Sequence, residues 1–200
     1  NRGGSGLVIL NSTLFQNYFA GAKFAGLRIQ TTRNVLLNNV LSEWNGASGI
    51  DVWAEPSTGS VTLKNVTANN NGQWGMDVGT NGAVSWIGGG ASNNVLGGAR
   101  LANDSALETA PKSMSLSSLV LNGNKADVGL GIFTRGSVTL TNITADNNDW
   151  DGIKVNKFAG AGSIKASLLL AVGNGVIGLN ICPAEDDSRS VNVSLNNITA

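Results

Sequence analysis

Apolar positions in this chain alternate over short runs, break, and resume at a fixed distance from an asparagine. Val35, Val61, Val84, Met114, Val138 and Ile164 each stand ten residues before one: Asn45, Asn71, Asn94, Asn124, Asn148 and Asn174. Four residues further on comes Gly49, Gly75, Gly98, Gly152 or Gly178, with Gly129 five residues after its asparagine. The glycine opens the pattern Gly-apolar-x-apolar, as in Gly-Ile-Asp-Val at 49–52 and Gly-Leu-Asn-Ile at 178–181. From Gly26 to Gly178, six steps cover 152 residues, a mean period of about 25, which is the range of solenoid repeats.

Within one copy the alternation changes phase. Val61 and Leu63 share a side, Asn65 interrupts, Val66 and Ala68 resume, and after Gly75 the side chains of Met76 and Val78 point inward. This predicts three short strands per turn, joined by corners that keep one face inward. Strands so short cannot bury their own face and must stack on neighbouring copies. Asn39, Asn65, Asn142 and Asn197 are expected in an inward corner column. Together with Asn45, Asn71, Asn94, Asn124, Asn148 and Asn174 they would bond the neighbouring coil and the backbone that the turns leave unpaired. Of the six Asn-Xaa-Ser/Thr triplets, at Asn11, Asn65, Asn103, Asn142, Asn192 and Asn197, this assigns three to the ladder. It leaves Asn103, in an expected loop, as the candidate glycan acceptor.

These columns resemble the right-handed parallel β-helix repeats of the pectin-lyase-like superfamily, over a span from about Leu7 to Ala200. The resemblance implies an all-β, right-handed parallel solenoid with asparagine at the second corner; the hand comes from the family and from the general preference for right-handed crossovers. Residues 1–200 then form a single solenoid of about seven to eight coils of ~25 residues each. The same coils occur in enzymes, tailspikes, adhesins and surface proteins, so the resemblance bears on architecture more than on activity.

Length is constant from each apolar start to its asparagine. It varies only after the glycine strand, by 9, 12, 9, 16, 9 and 12 residues. One corner therefore carries the loops, chiefly Ala102–Lys112 and Cys182–Ser190, with a further excursion at Tyr18–Ala25. Loops at one edge of a rigid rod are where binding tends to reside.

Composition removes several functions. Formal net charge is zero and 13% of residues are charged, so the basic signature of a nucleic-acid partner is missing. No apolar run approaches the ~20 residues of a membrane span, and no signal-peptide pattern opens the chain. Without histidine, Ser-His-Asp and Cys-His catalysis and imidazole-held zinc are excluded. Cys182 is alone, which rules out an internal disulfide; it is expected to be a small buried apolar residue.

The outward position of the glycine strand reads Arg28, Asp51, Asp77, Arg100, Gly131, Lys154, Asn180 from coil to coil. At ~4.8 Å per strand, Asp51 and Asp77 are adjacent carboxylates flanked by Arg28 and Arg100. Such a group suits a retaining glycosidase pair, a Ca²⁺ site, or a charge ladder across an exposed sheet. No lyase signature surrounds these residues, and the only Asp-Asp pair, Asp186–Asp187, lies in a loop. Trp44, Trp53, Trp74 and Trp150 are candidates for stacking on sugar rings, and Trp86 for the core. The run Asp146–Asp151 is the place for a structural Ca²⁺, the one cofactor the sequence admits.

No amphipathic helix covers either end of the pattern, from which a section of a longer protein, or a unit stacking on itself or on neighbouring segments, is expected. The function expected is structural and non-enzymatic: a stalk, adhesin or filament subunit, extracellular or on a cell surface. The alternative is a polysaccharide-binding protein, lyase or glycoside hydrolase working at Arg28, Asp51, Asp77 and Arg100.

Overall fold

A computed structural model describes residues 8–16, 24–54, 58–104, 112–158, 162–183 and 191–200. Among them there is no helix. Eight strands, β1 (Val8–Gln16), β3 (Val35–Glu43), β5 (Val61–Thr67), β7 (Val84–Gly90), β9 (Met114–Val120), β11 (Val138–Thr144), β13 (Ser163–Leu170) and β15 (Asn192–Thr199), form one parallel sheet in that order. Seven more, β2 (Leu27–Gln30), β4 (Ile50–Ala54), β6 (Met76–Thr80), β8 (Ala99–Asn103), β10 (Leu130–Thr134), β12 (Ile153–Lys157) and β14 (Leu179–Pro183), form the second. The chain is an all-β parallel solenoid, alternating between the sheets and climbing one strand per turn. It makes about six turns, from Gly26 to Gly178. The expectation of seven to eight coils counted the partial turns of β1 and β15 as whole ones.

The three expected strands per coil are two. The first pair merges into one strand with a bend, because a residue in the left-handed region rotates the chain without ending its pairing. Asn39, Asn65, Gly88, Ser118, Asn142, Leu168 and Asn197 occupy this bend at φ of 49° to 74°, a conformation that asparagine and glycine adopt most readily. The bend shifts the alternation by one residue, so Val61, Leu63, Val66 and Ala68 all face the core. Trp86 lies fully buried in the same column. The bend side chains themselves face outward: Asn39, Asn65, Asn142 and Asn197 are exposed, which corrects their expected place in an inward column. Their contacts are limited to surface bonds such as Asn65 Nδ2 to Asn39 Oδ1 at 3.1 Å.

The buried ladder stands six residues later. Each of Asn45, Asn71, Asn94, Asn124 and Asn148 directs both its backbone N–H and its Nδ2 at the Oδ1 of the next coil's asparagine, at 2.9–3.1 Å. Asn94 Nδ2 also donates back to Ala68 O and Asn124 Nδ2 to Ala91 O. The repeating glycine has its reason here. A Cβ on Gly49 would lie 2.6 Å from Asn71 Nδ2, and one on Gly75 2.6 Å from Asn94 Nδ2. The glycine of each coil thus leaves the space that the next coil's asparagine fills.

A second ladder runs along the outside of the same corner. Ser92 N–H donates to Asn69 Oδ1, Asn122 N–H to Ser92 Oγ, Asp146 N–H to Asn122 Oδ1 and Val172 N–H to Asp146 Oδ1, at 2.8–3.0 Å. Its donors belong to the following coil and its acceptors to the preceding one, the reverse of the buried ladder. The corner is therefore stitched in both directions.

Two stability outcomes follow from this geometry. Asn94→Ala strands the buried N–H of Asn71 and should cost roughly 3 kcal/mol or more in urea unfolding. The exposed Asn65→Ala should cost only about 1 kcal/mol, the asparagine's advantage in the left-handed region. Ala126, at φ 63° in the one coil whose glycine comes a residue late, is a strained L-residue. Ala126→Gly should raise stability by about 0.5–1 kcal/mol on the same assay.

Candidate functional site

The second residue of each strand in the seven-stranded sheet points outward, and register brings Arg28, Asp51, Asp77 and Arg100 side by side. They resolve into two ion pairs. Arg28 donates from Nη2 to Asp51 Oδ2 at 2.9 Å and from Nε to the same oxygen at 3.3 Å. Arg100 Nη1 reaches Asp77 Oδ1 at 3.3 Å and its guanidinium lies 5.4 Å from the centre of the Phe133 ring. Phe133 in turn stacks on Phe158.

The two carboxylates differ. The Asp51 side chain is 8% exposed and held twice by Arg28. Asp77 has one long contact with Arg100; burial, joined by the charge of Asp51, raises its pKa above the ordinary 3.8, with Arg100 opposing. Chemically, the group is a quartet of two carboxylates and two guanidiniums arranged as two ion pairs. No hydrogen bond links the two carboxylates.

The tryptophans do not form one platform. Trp74 and Trp150 lie between the ladder asparagine and the glycine of their coils, whereas Trp44 immediately precedes Asn45. Trp44 and Trp150 are 50% and 53% exposed. The Trp74 ring lies across Gly97 of the next coil, where a Cβ would collide with it. Trp53 is half-buried on the outer face of β4, opposite Gly79 in register.

The acids of the Asp146–Asp151 run go to separate partners. Asp146 accepts the Val172 N–H, Asp149 meets Lys125 Nζ and the Ala126 N–H, and Asp151 accepts from Asn180 Nδ2 at 2.8 Å. Among the described residues no three metal-ligating side chains of the His, Cys, Asp or Glu type converge. Asn103, expected in a loop, ends β8 and is buried, with Nδ2 donating to Gly82 O and Lys112 O; that position corrects its reading as a glycan acceptor. Cys182, expected in the core, lies on the outward side of β14, half-buried. Its thiol donates to Asn180 Oδ1 at 3.0 Å, so Asn180 links Cys182 to Asp151. The correction follows from strand alternation: Leu179 and Ile181 pack against the core, which puts Asn180 and Cys182 outside. Asp186–Asp187 and most of the three expected loops lie outside the described residues.

Sequence reasoning missed the outer ladder and Lys157. The ladder had a signal, an oxygen-bearing residue two before each of five ladder asparagines: Glu43, Asn69, Ser92, Asn122, Asp146. Lys157 had none. It is buried at the end of β12, with Nζ donating to Arg135 O at 2.6 Å, at the register position held by Thr134 in the preceding coil.

Asp77 carries a pH signature. Its folded pKa is raised, so the folded state binds the proton more tightly than the unfolded chain, and its contribution to stability falls as pH rises from below 3.8 through the raised value. Asp77→Asn cannot ionise. Its stability relative to the parent should therefore improve steadily across that window in urea titrations, and a difference independent of pH would contradict the assignment.

Compared with known proteins, the chain matches no protein-family model, no curated protein and no solved structure.

Proposed function

We propose that the chain is a non-enzymatic structural segment of a secreted or cell-surface protein: a stalk, adhesin or filament element whose coils stack end to end. The observation that carries this reading is the uniformity of the coil-to-coil contact. Five successive asparagine rungs repeat the same paired donation within 2.9–3.1 Å, with an unbroken apolar core beside them. A stack of this kind resists bending, because each coil is fixed to the next through two sheets and two side-chain ladders. Three ion pairs lie on its outer surface: Asp51 with Arg28, Asp77 with Arg100, Lys125 with Asp149. A neutral, self-complementary rod is what a load-carrying or spacing element requires.

A second reading, polysaccharide binding or cleavage at the Arg28/Asp51/Asp77/Arg100 face, has the raised proton affinity of Asp77 in its favour. Against it, both carboxylates already hold a guanidinium.

Electron microscopy of the purified protein should show rods with ~4.8 Å axial periodicity, longer than one 200-residue unit. Incubation with neutral and acidic polysaccharides should release no new chain ends. Isolated short particles together with cleavage lost in Asp77→Asn would replace the structural reading with the enzymatic one.

A further inference from the structure

We propose that the outer face of the eight-stranded sheet, between β5 and β13, binds the surface of ice. The alternation that buries Val61 and Leu63 turns Thr62 and Lys64 outward, and the same two positions recur on each following strand. At the first, register stacks Thr62, Ser85, Ser115 and Thr139 on successive strands. At the second it stacks Ser117, Thr141 and Ser167. The two central strands, β9 and β11, carry a hydroxyl at both positions. Lys64 and Lys165 stand at opposite ends, and no charge lies between them at these positions.

Few of these hydroxyls are engaged within the protein. Ser115 and Thr139 are exposed and the others half-buried. Ser167 Oγ donates to Thr141 Oγ1 at 3.5 Å; among the described residues the remaining hydroxyls of the patch have no protein partner. Their spacing is set by the backbone. Neighbouring strands put them ~4.8 Å apart, and alternate residues of one strand ~6.7 Å apart. No strand from β5 to β13 slips in register, and asparagine rungs of 2.9–3.1 Å hold the coils at a constant rise.

The ligand must match this grid: uncharged, donor and acceptor at each contact, and itself repeating in two directions. A hydroxyl both donates and accepts. So does each water of an ice surface, whose oxygens on the prism face repeat at distances near these two. Liquid water solvates the hydroxyls one at a time, so the preference for ice comes from several contacts made in register. Neither partner loses conformational freedom, because ice and the sheet are both ordered before they meet. A crystalline polysaccharide also repeats in two directions, but pyranose faces are gripped by aromatic rings. None stands at these positions of β5 to β13. The grid lies within one 200-residue unit, so ice binding does not depend on coils stacking end to end.

The test is uptake of the whole chain into slowly growing ice, with crystal shape and thermal hysteresis read in a nanolitre osmometer. The parent should be enriched in the ice at least tenfold over Thr139→Lys, which plants a charged chain in the middle of the grid at an exposed site. It should also facet the crystals, and Thr139→Lys should not. Ser115→Lys, at the other exposed hydroxyl, should behave as Thr139→Lys does. Thr144→Lys, outward on β11 but beyond the bend, should match the parent in both readouts. Circular dichroism should show all three variants folded alike. Exclusion of the parent from ice, or equal uptake of parent and Thr139→Lys, would overturn the proposal. So would an equal loss in Thr144→Lys, the mark of a general charge effect. Retention on crystalline cellulose that Thr139→Lys abolishes, without ice uptake, would make that polysaccharide the occupant instead.

Discussion

A chain that turns inside its own core must find partners for the backbone N–H groups at the turn, and here asparagine side chains supply them. Every other regularity of the molecule can be traced to that constraint. The paired donors of one asparagine take a single oxygen from the next coil, so the side chain must stand at the same height in every turn. This explains the invariant ten residues from apolar start to asparagine. It also explains the glycine that follows, since a Cβ there would collide with the next rung. The longer insertions fall between the glycine strand and the next apolar start, where no ladder would be broken; the exceptions are the one residue that delays Gly129 and the excursion at Tyr18–Ala25.

The same constraint separates inside from outside. An unpaired buried N–H costs about 1–3 kcal/mol, so the inner column tolerates little besides asparagine. The outer ladder is more permissive: asparagine, serine and aspartate all serve, since an exposed donor has water as an alternative partner. Permissiveness outside is also what the Arg28–Asp51 and Asp77–Arg100 pairs display. They lie on a face where register alone makes neighbours of residues 23 positions apart in sequence. Proximity on such a face is what any charged column of a parallel stack produces.

Much of the fold was legible because a solenoid writes its three-dimensional neighbours as a period. Register partners such as Asp51 and Asp77, or Val61 and Val84, could be named from spacing alone. The direction of the bend asparagines was not legible in the same way. Both columns of asparagine recur at the same period, and only backbone φ tells which side chain turns inward: Asn65 sits in the left-handed region and faces water, while Asn71 does not and is buried. Cys182 was misplaced for a related reason, since an apolar-looking residue at a strand end was weighed by its type and not by its phase against Leu179 and Ile181. The ion pairs of the candidate site were legible as neighbours. Their division into a firmly held Asp51 and a looser Asp77 depended on side-chain reach, which spacing does not encode.

The account rests on the ladder holding the coils together as one cooperative stack, and native-state hydrogen exchange tests this most directly. The backbone amides of Asn71, Asn94 and Asn124, each bonded to the next rung at 2.9–3.0 Å, should exchange only through global unfolding. Their opening free energies should equal those of core strand residues such as Leu63 and Leu116 and shift in step with them in low urea. Ladder amides that exchange through local openings, well before the core strands, would contradict it.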